Sequence, residues 1–415
     1  MILKRFDVSF RDPAWQRLSS FSLILFFILL ADALLSYWVP NFLQDSLQSA
    51  FTMGLVMSFS SVVGFAADLM FPQVLRGYTV RKLLLSGIAV SLCFIVTMAL
   101  GVTTPNLFVF LIAMAIWGVY YEYLGFATQQ FVSDAIPLKM HTTGWAVIDI
   151  FKNLAYLIGP IAAGWFLLRG EYNFLLITAV ILALAFVIFS FTGKHHHERP
   201  LSIEPADINI WRELAHWKVL FTRVWPVVFI SLFMGLIDAT FWTTGAVWTG
   251  NLAEESVIGS LILAAYQLPS LFMGIIIAKW KIYEKKKFTA EKFLLLSGLT
   301  LCLLAFDLPV ILYVLIVFVS SIFLAVTFPL SEAVYTDLTT RMGVERKHLV
   351  GLSSSTMSLA YIISPAVAGY ISSMVGEKST IVVVGALTAI VSLVLLFITP
   401  KKLHLPQAEI AEWKD

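Results

Sequence analysis

Charge is scarce in this chain: only 13% of its 415 residues are Asp, Glu, Lys or Arg, against about a quarter in an ordinary soluble domain. That scarcity excludes a soluble enzyme, a disordered chain and a nucleic-acid-binding module, each of which needs a charged surface. Neither sign dominates, since 28 basic side chains stand against 26 acidic ones for a formal net charge of +2. Cysteine is nearly absent. Cys93 and Cys302 both lie in apolar runs, so buried inert thiols are expected rather than a disulfide framework. No glycine-rich phosphate loop is present, which leaves no ATP motor in this chain. The HExxH and GxGD patterns of membrane proteases are missing as well, so no enzyme is expected. His195, His196 and His197 are adjacent and cannot turn all their rings to one ion, so neither a metal site nor a cofactor is expected.

What the chain has in excess is hydrocarbon, with 59% apolar residues and a mean hydropathy of +0.87. Apolar runs fall at 18–43, 49–70, 81–102, 106–131, 141–168 and 172–193, then at 225–249, 256–278, 291–307, 309–331, 347–375 and 379–399. Each is long enough for a bilayer crossing, which takes roughly 20 residues. Backbone amides facing lipid have no water to bond, and the runs are too long for barrel strands, so each is expected to be helical. The expected fold is therefore all-α: a polytopic membrane protein with two six-helix bundles, residues 1–193 and 224–415. Between them lies a polar linker, 194–223, in which Trp211, Leu214 and Trp217 at helical spacing suggest an interfacial amphipathic helix.

Lys and Arg set the orientation. With the N-terminus in the cytoplasm, 25 of the 28 basic residues fall on the cytoplasmic side, Arg169 and Lys378 fall outside, and Lys152 lies within a span. Both termini are thus expected in the cytoplasm of a cell with this chain in its cytoplasmic (inner) membrane. The polar stretch before the first run and that run's length argue against a cleavable signal. The cluster Lys285 to Lys287 reads as part of the same bias or as a lipid headgroup contact.

The two halves repeat one another. LLLSG occurs at Leu83–Gly87 and at Leu294–Gly298, NLAYLIGPIAAGW from Asn153 is echoed by SLAYIISPAVAGY from Ser358, and Ala31-Asp32-Ala33 by Ile237-Asp238-Ala239. A parallel duplication of six helices follows, with a pseudo-two-fold axis along the membrane normal.

On these features the chain resembles the major facilitator superfamily of secondary transporters, and within it the 12-span drug/proton antiporter group. In the loop after span two that family writes Gly, three residues, Asp, then a basic-Gly-basic cluster. Gly64 and Asp68 fit, and Arg76, Gly77, Arg81 and Lys82 follow about five residues late, after MFPQV. The resemblance implies a cytoplasmic gate latched by Gly64, Asp68, Arg76, Arg81 and Lys82. Span five carries small residues at the spacing of the drug-exporter pattern, ending in Gly159, Pro160, Ala163 and Gly164, and span eleven repeats it with Ser364, Pro365, Ala368 and Gly369. Small residues at this interval let helices pack closely, which is the expected role of Gly159, Pro160, Gly164, Pro365 and Gly369. The family's arginine in span four has no counterpart, Met114 standing in its place.

Ionisable groups inside spans are the strongest functional pointers, because an unpaired charge at the bilayer centre is costly. Asp32 and Asp238 occupy equivalent places, roughly 20 Å from the cytoplasmic start of spans one and seven. Glu122 in span four, and Asp149 with Lys152 three residues apart in span five, fall at similar depth and are expected to cluster, with an Asp149–Lys152 ion pair as the structural reading. Glu332 lies near the end of span ten. With four more acids than bases, this set suits proton loading and release, or a cationic cargo. Tyr37, Tyr121 and Trp242, with Gln267, are expected to line the cavity, where rings stack on planar or cationic ligands. The expected function is proton-coupled export of small amphiphilic or cationic organic compounds by a monomer working through alternating access, with proton symport of a sugar or other metabolite as the alternative. The expected partners are that small-molecule substrate, protons and the lipid bilayer.

Overall fold

The structure is a computed structural model that describes residues 13–75, 77–137, 140–192, 210–280, 285–342 and 346–399. Arg76 and the run His195 to His197 lie outside them. Among the described residues there is no strand. The helices are α1 (Pro13–Leu47), α2 (Ala50–Val74), α3 (Val80–Thr103), α4 (Leu107–Ala135), α5 (His141–Leu167), α6 (Glu171–Thr192), α7 (Ile210–Trp242), α8 (Thr244–Glu255), α9 (Ile262–Gln267), α10 (Ser270–Trp280), α11 (Lys286–Cys302), α12 (Val310–Met342), α13 (Arg346–Val375) and α14 (Glu377–Ile398). Eleven stretches of the described residues are long and apolar enough to cross a membrane. The outer surface is correspondingly apolar: Trp165, Leu168, Phe108 and Phe397 are each at least 74% exposed, a cost in water that disappears in lipid.

Two expectations about the spans change. Run 256–278 is not one helix but a 3-10 turn (Gly259–Leu261), the short α9 and then α10, with Leu268 and Pro269 between the last two. Proline has no N–H for the helical ladder and its ring crowds the carbonyl four residues back, so the helix breaks there. Span seven begins earlier than its apolar run. The segment read as a separate interfacial helix is continuous with it in α7, and the interruption comes instead at Thr243, between α7 and α8. Cys93 also departs from expectation: it is exposed on α3, while Cys302 is intermediate.

The chain divides into two compact units, one of Met1–Ser46 with Phe59–Pro205, the other of Leu47–Ser58 with Ala206–Asp415. In the first, α1 and α4 join through Phe21 and Phe131, stacked at 3.8 Å. In the second, Leu220, Val224 and Val227 of α7 bury against Leu338 and Met342 of α12 and Leu349 of α13. Buried hydroxyls add ties between helices of the second unit: Ser231 to Ser331 at 3.1 Å, Ser297 to Ser320 at 2.9 Å and Thr240 to Ser364 at 2.9 Å. The duplication is visible in the turns too. Gly170, between α5 and α6, and Gly376, between α13 and α14, both adopt left-handed backbone with φ of 90° and 83°, a region glycine enters without steric cost.

Outside the spans, Lys378 Nζ lies 2.8 Å from Asp307 Oδ1 and holds that fully exposed carboxyl below the ordinary carboxylate range. A depressed carboxylate adds stability above its ordinary range and loses it as pH falls through the lowered value. Asp307→Asn is therefore expected to flatten a small acid-side decline in thermal stability, read from melting curves over a pH series. An unchanged acid limb would deny the bridge any role.

Candidate functional site

Asp32 sits midway along α1 and is 1% exposed. Its Oδ1 accepts a hydrogen bond from the Trp117 indole at 2.8 Å, and its Oδ2 accepts from the phenols of Tyr121 at 3.0 Å and Tyr156 at 2.5 Å. Trp117 and Tyr121 are one turn apart on α4, so a single helix face presents both donors. Trp117 is in turn stacked on Phe94 of α3, ring centroids 4.9 Å apart, which fixes the indole plane. Tyr156 comes from α5, where Lys152, one turn earlier, acts electrostatically on Asp32. Hydrogen bonds to a charged group contribute about 1.5–3 kcal/mol each, so three of them offset much of the several kcal/mol that burying a carboxylate costs.

The repeat carries a second version of this arrangement. Asp238 of α7, half-buried, accepts from the Tyr266 phenol at 2.6 Å through Oδ1 and from the Tyr361 phenol through Oδ2. Tyr361 lies on α13, and Tyr266 on the short α9, where its ring stacks on Phe241 at 4.2 Å. Each aspartate is thus bound to a tyrosine at almost the same sequence separation, 124 residues for Asp32–Tyr156 and 123 for Asp238–Tyr361.

The remaining acids do not gather as expected. Glu122 turns to α2, where a methyl group added at Gly64 would stand 3.3 Å from Oε1, and its acidic neighbour is Asp68. Asp149 and Lys152 are both exposed on α5. Lys152 acts electrostatically on Asp149, but among the described residues no ion pair joins them. Equal depth along two helices leaves their rotation open, and rotation separates Glu122 from the α5 pair. Glu332 is exposed on α12. Of the expected aromatic lining, Tyr121 reaches Asp32. Tyr37 is 4% exposed, Trp242 closes α7 at the interruption before α8, and Gln267, 8% exposed, ends α9 at the break in span eight.

At the expected gate, Gly64 is buried and Asp68 exposed. Arg81 lies over the Phe189 ring at 5.8 Å and Lys82 over Tyr78 at 5.9 Å, and among the described residues neither forms an ion pair with Asp68. The packing residues divide. A Cβ on Gly159 would collide with Ala33, so α5 meets α1 there beside the buried Pro160. Gly54 of α2 abuts the Pro365 carbonyl, and Gly369 abuts that of Ala50, bringing α13 against the start of α2. Gly164 is the exception: nothing lies within 4 Å of its missing side chain, so it is not a packing residue.

The profile of the Major Facilitator Superfamily matches residues 21–282 and 254–415, nearly the whole chain. This protein belongs to the major facilitator superfamily. It is accordingly a multi-pass membrane transporter and not an enzyme. An uncharacterized MFS-type transporter of Bacillus subtilis (strain 168), YjbB, is 24% identical over 281 residues, 61% of this chain and 64% of that one, so the match spans less than two thirds of that relative. Among solved structures, a peptide transporter POT in complex with sulfate superposes with a TM-score of 0.73 at 13% identity over 92% of this chain and 94% of its own. The nucleoside transporter NupG gives 0.66 at 13% over 92% and 99%. At such identities these structures share the superfamily fold alone.

Four residues of this superfamily member's aspartate sites, Trp117, Tyr156, Tyr266 and Tyr361, were absent from the sequence-based set. Tyr156 and Tyr361 had a usable signal: they are the shared tyrosine of NLAY and SLAY, in a chain whose aspartates also repeat. Tyr266 had none, since span two, the first-half equivalent of its span, carries no tyrosine, and its reach depends on where span eight breaks.

Proposed function

We propose that the protein is a proton-coupled secondary transporter that exports small cationic or amphiphilic organic compounds by alternating access. The observation that carries this reading is the duplicated carboxylate held by phenols, Asp32 with Tyr156 and Asp238 with Tyr361. A phenol donates to a carboxylate and, by turning its hydroxyl, accepts from a carboxylic acid, so it accommodates both protonation states. The Trp117 indole only donates, so Oδ1 accepts in either state and the place for a proton is Oδ2, which faces the two phenols. A bound organic cation competes with the proton for the same carboxylate, and that competition couples their movements in opposite directions. Tyr121, 39% exposed beside Asp32, offers its ring to a planar cation. A cytoplasmic-membrane location with both termini inside follows from the distribution of Lys and Arg.

The test uses purified protein in liposomes with an imposed pH gradient, and a panel of cationic dyes, neutral sugars and short peptides. Dyes are expected to accumulate against the proton gradient and to lose that accumulation when a protonophore is added. Accumulation of the sugars or peptides with the proton gradient, and none of the dyes, would replace export with symport. Transport indifferent to both gradient and protonophore would remove proton coupling altogether.

A further inference from the structure

The two aspartate sites differ in what holds them. The donors to Asp32 stand on the continuous helices α4 and α5, whereas one donor to Asp238 stands on the broken span. Tyr266 is the penultimate residue of α9, two residues before the Leu268–Pro269 interruption. Its side chain reaches α7 through Asp238 and Phe241, and its backbone carbonyl accepts from the Ser321 hydroxyl of α12. Pro269 has no N–H to give the helical ladder, and beside that break the Ser321 hydroxyl ties the end of α9 to α12. Asp238 itself lies just over one turn before the second interruption, at Thr243. One residue therefore joins the titratable carboxylate to the irregular part of span eight. Discontinuous helices of this kind are where secondary transporters form substrate and coupling-ion sites.

We infer that Tyr266 is a positioning residue that transmits the ionisation of Asp238 to the interrupted eighth span. The inference rests on the proton-coupled reading above and adds where the proton acts. With the carboxylate charged, Tyr266 donates to it and α9 is pinned to α7. Once the carboxyl is neutral, that bond loses its charge assistance and the break at 268–269 is released. The titratable groups seen to face Asp238 are Tyr266 from α9 and Tyr361 from α13. Tyr361 stands within the continuous α13, so it is expected to bind the carboxylate without passing the change to span eight.

Amide hydrogen exchange over 262–273, in the full chain in lipid nanodiscs and corrected for intrinsic rate at each pH, reads the release directly. In the parent protein, protection of this segment is expected to fall about tenfold from mildly alkaline to acidic pH, the loss of one charge-assisted bond. Asp238→Asn is expected to hold the segment at the acid-like level at every pH, Tyr266→Phe to abolish the pH response, and Tyr361→Phe to keep it. Ser321→Ala, which loosens the other end of Tyr266 without touching the carboxylate, is expected to weaken the response and guards against a Tyr266 variant that fails to fold. A folded Tyr266→Phe protein with the parent's pH response, or a parent segment that does not respond to pH, would overturn the inference. If gradient-driven dye transport by the parent nevertheless survives and is lost in Asp238→Asn, only the role of Tyr266 falls and the coupling stands. If Asp238→Asn still transports with the gradient, coupling through that residue fails instead.

Discussion

Asp32→Asn is expected to lower gradient-driven accumulation about 100-fold, near the upper end of ordinary coupling energies, while exchange of labelled for unlabelled substrate persists. Asparagine keeps the size of the side chain and mimics the neutral carboxyl permanently. Its amide oxygen still accepts from Trp117, and its NH2 group finds acceptors in the Tyr121 and Tyr156 hydroxyls, which can turn, so the α1–α4–α5 contact survives. What is lost is the change of charge. Asp32→Ala is a different experiment, because it leaves a buried indole N–H without its acceptor and costs about 1–3 kcal/mol in stability besides. The comparison is made in proteoliposomes with and without the pH gradient. Undiminished accumulation by Asp32→Asn would take this residue out of coupling.

Gly118→Val is expected to be the most damaging substitution to the fold of the first unit. A Cβ there would overlap the Ser60 carbonyl of α2 and stand 2.9 Å from the Gly64 amide nitrogen, and both are backbone that no rotamer change can move. Overpacking of this kind costs about 1–3 kcal/mol where side chains can adjust, and more where they cannot. The neighbouring residue on α4 is Trp117, so a helix pushed away from α2 also disturbs the indole that holds Asp32. Gly164→Ala is the control, expected to raise stability by up to about 1 kcal/mol, since it adds a methyl in open space on a helix. Melting curves of the detergent-solubilised proteins separate the two. Equal stability of Gly118→Val and the parent would mean that α2 and α4 do not pack as closely as their glycines indicate.

The fold was legible because a bilayer imposes one rule on every segment: an apolar run long enough to cross must be a helix. That rule recovered eleven of the spans and the duplication, through LLLSG, NLAY/SLAY and the paired aspartates. It is blind to continuity, which is why span eight looked whole although Pro269 breaks it. The site was legible in part. Burial of acids marked Asp32 and Asp238, because charge in a membrane demands a reason. Their partners were harder, since a contact between helices depends on rotation about each axis as well as depth. Depth alone grouped Glu122 with Asp149 and Lys152, whereas its rotation turns Glu122 to Gly64 on α2. Tyr121 appeared among the aromatics as a stacking surface, yet its O–H group is what binds the carboxylate, together with the N–H of Trp117 one turn earlier.

The infrared difference spectrum of the lipid-reconstituted protein between acidic and mildly alkaline buffer looks at the two carboxyls themselves and requires no knowledge of the cargo. Reversible ionisation at both sites gives a protonated-carboxyl band in the parent that shrinks in Asp32→Asn, shrinks in Asp238→Asn and shifts in frequency when Tyr156 or Tyr361 becomes Phe. A band that both Asn variants leave untouched would mean that neither aspartate changes its proton, and the transporter would then have to draw its energy from another group.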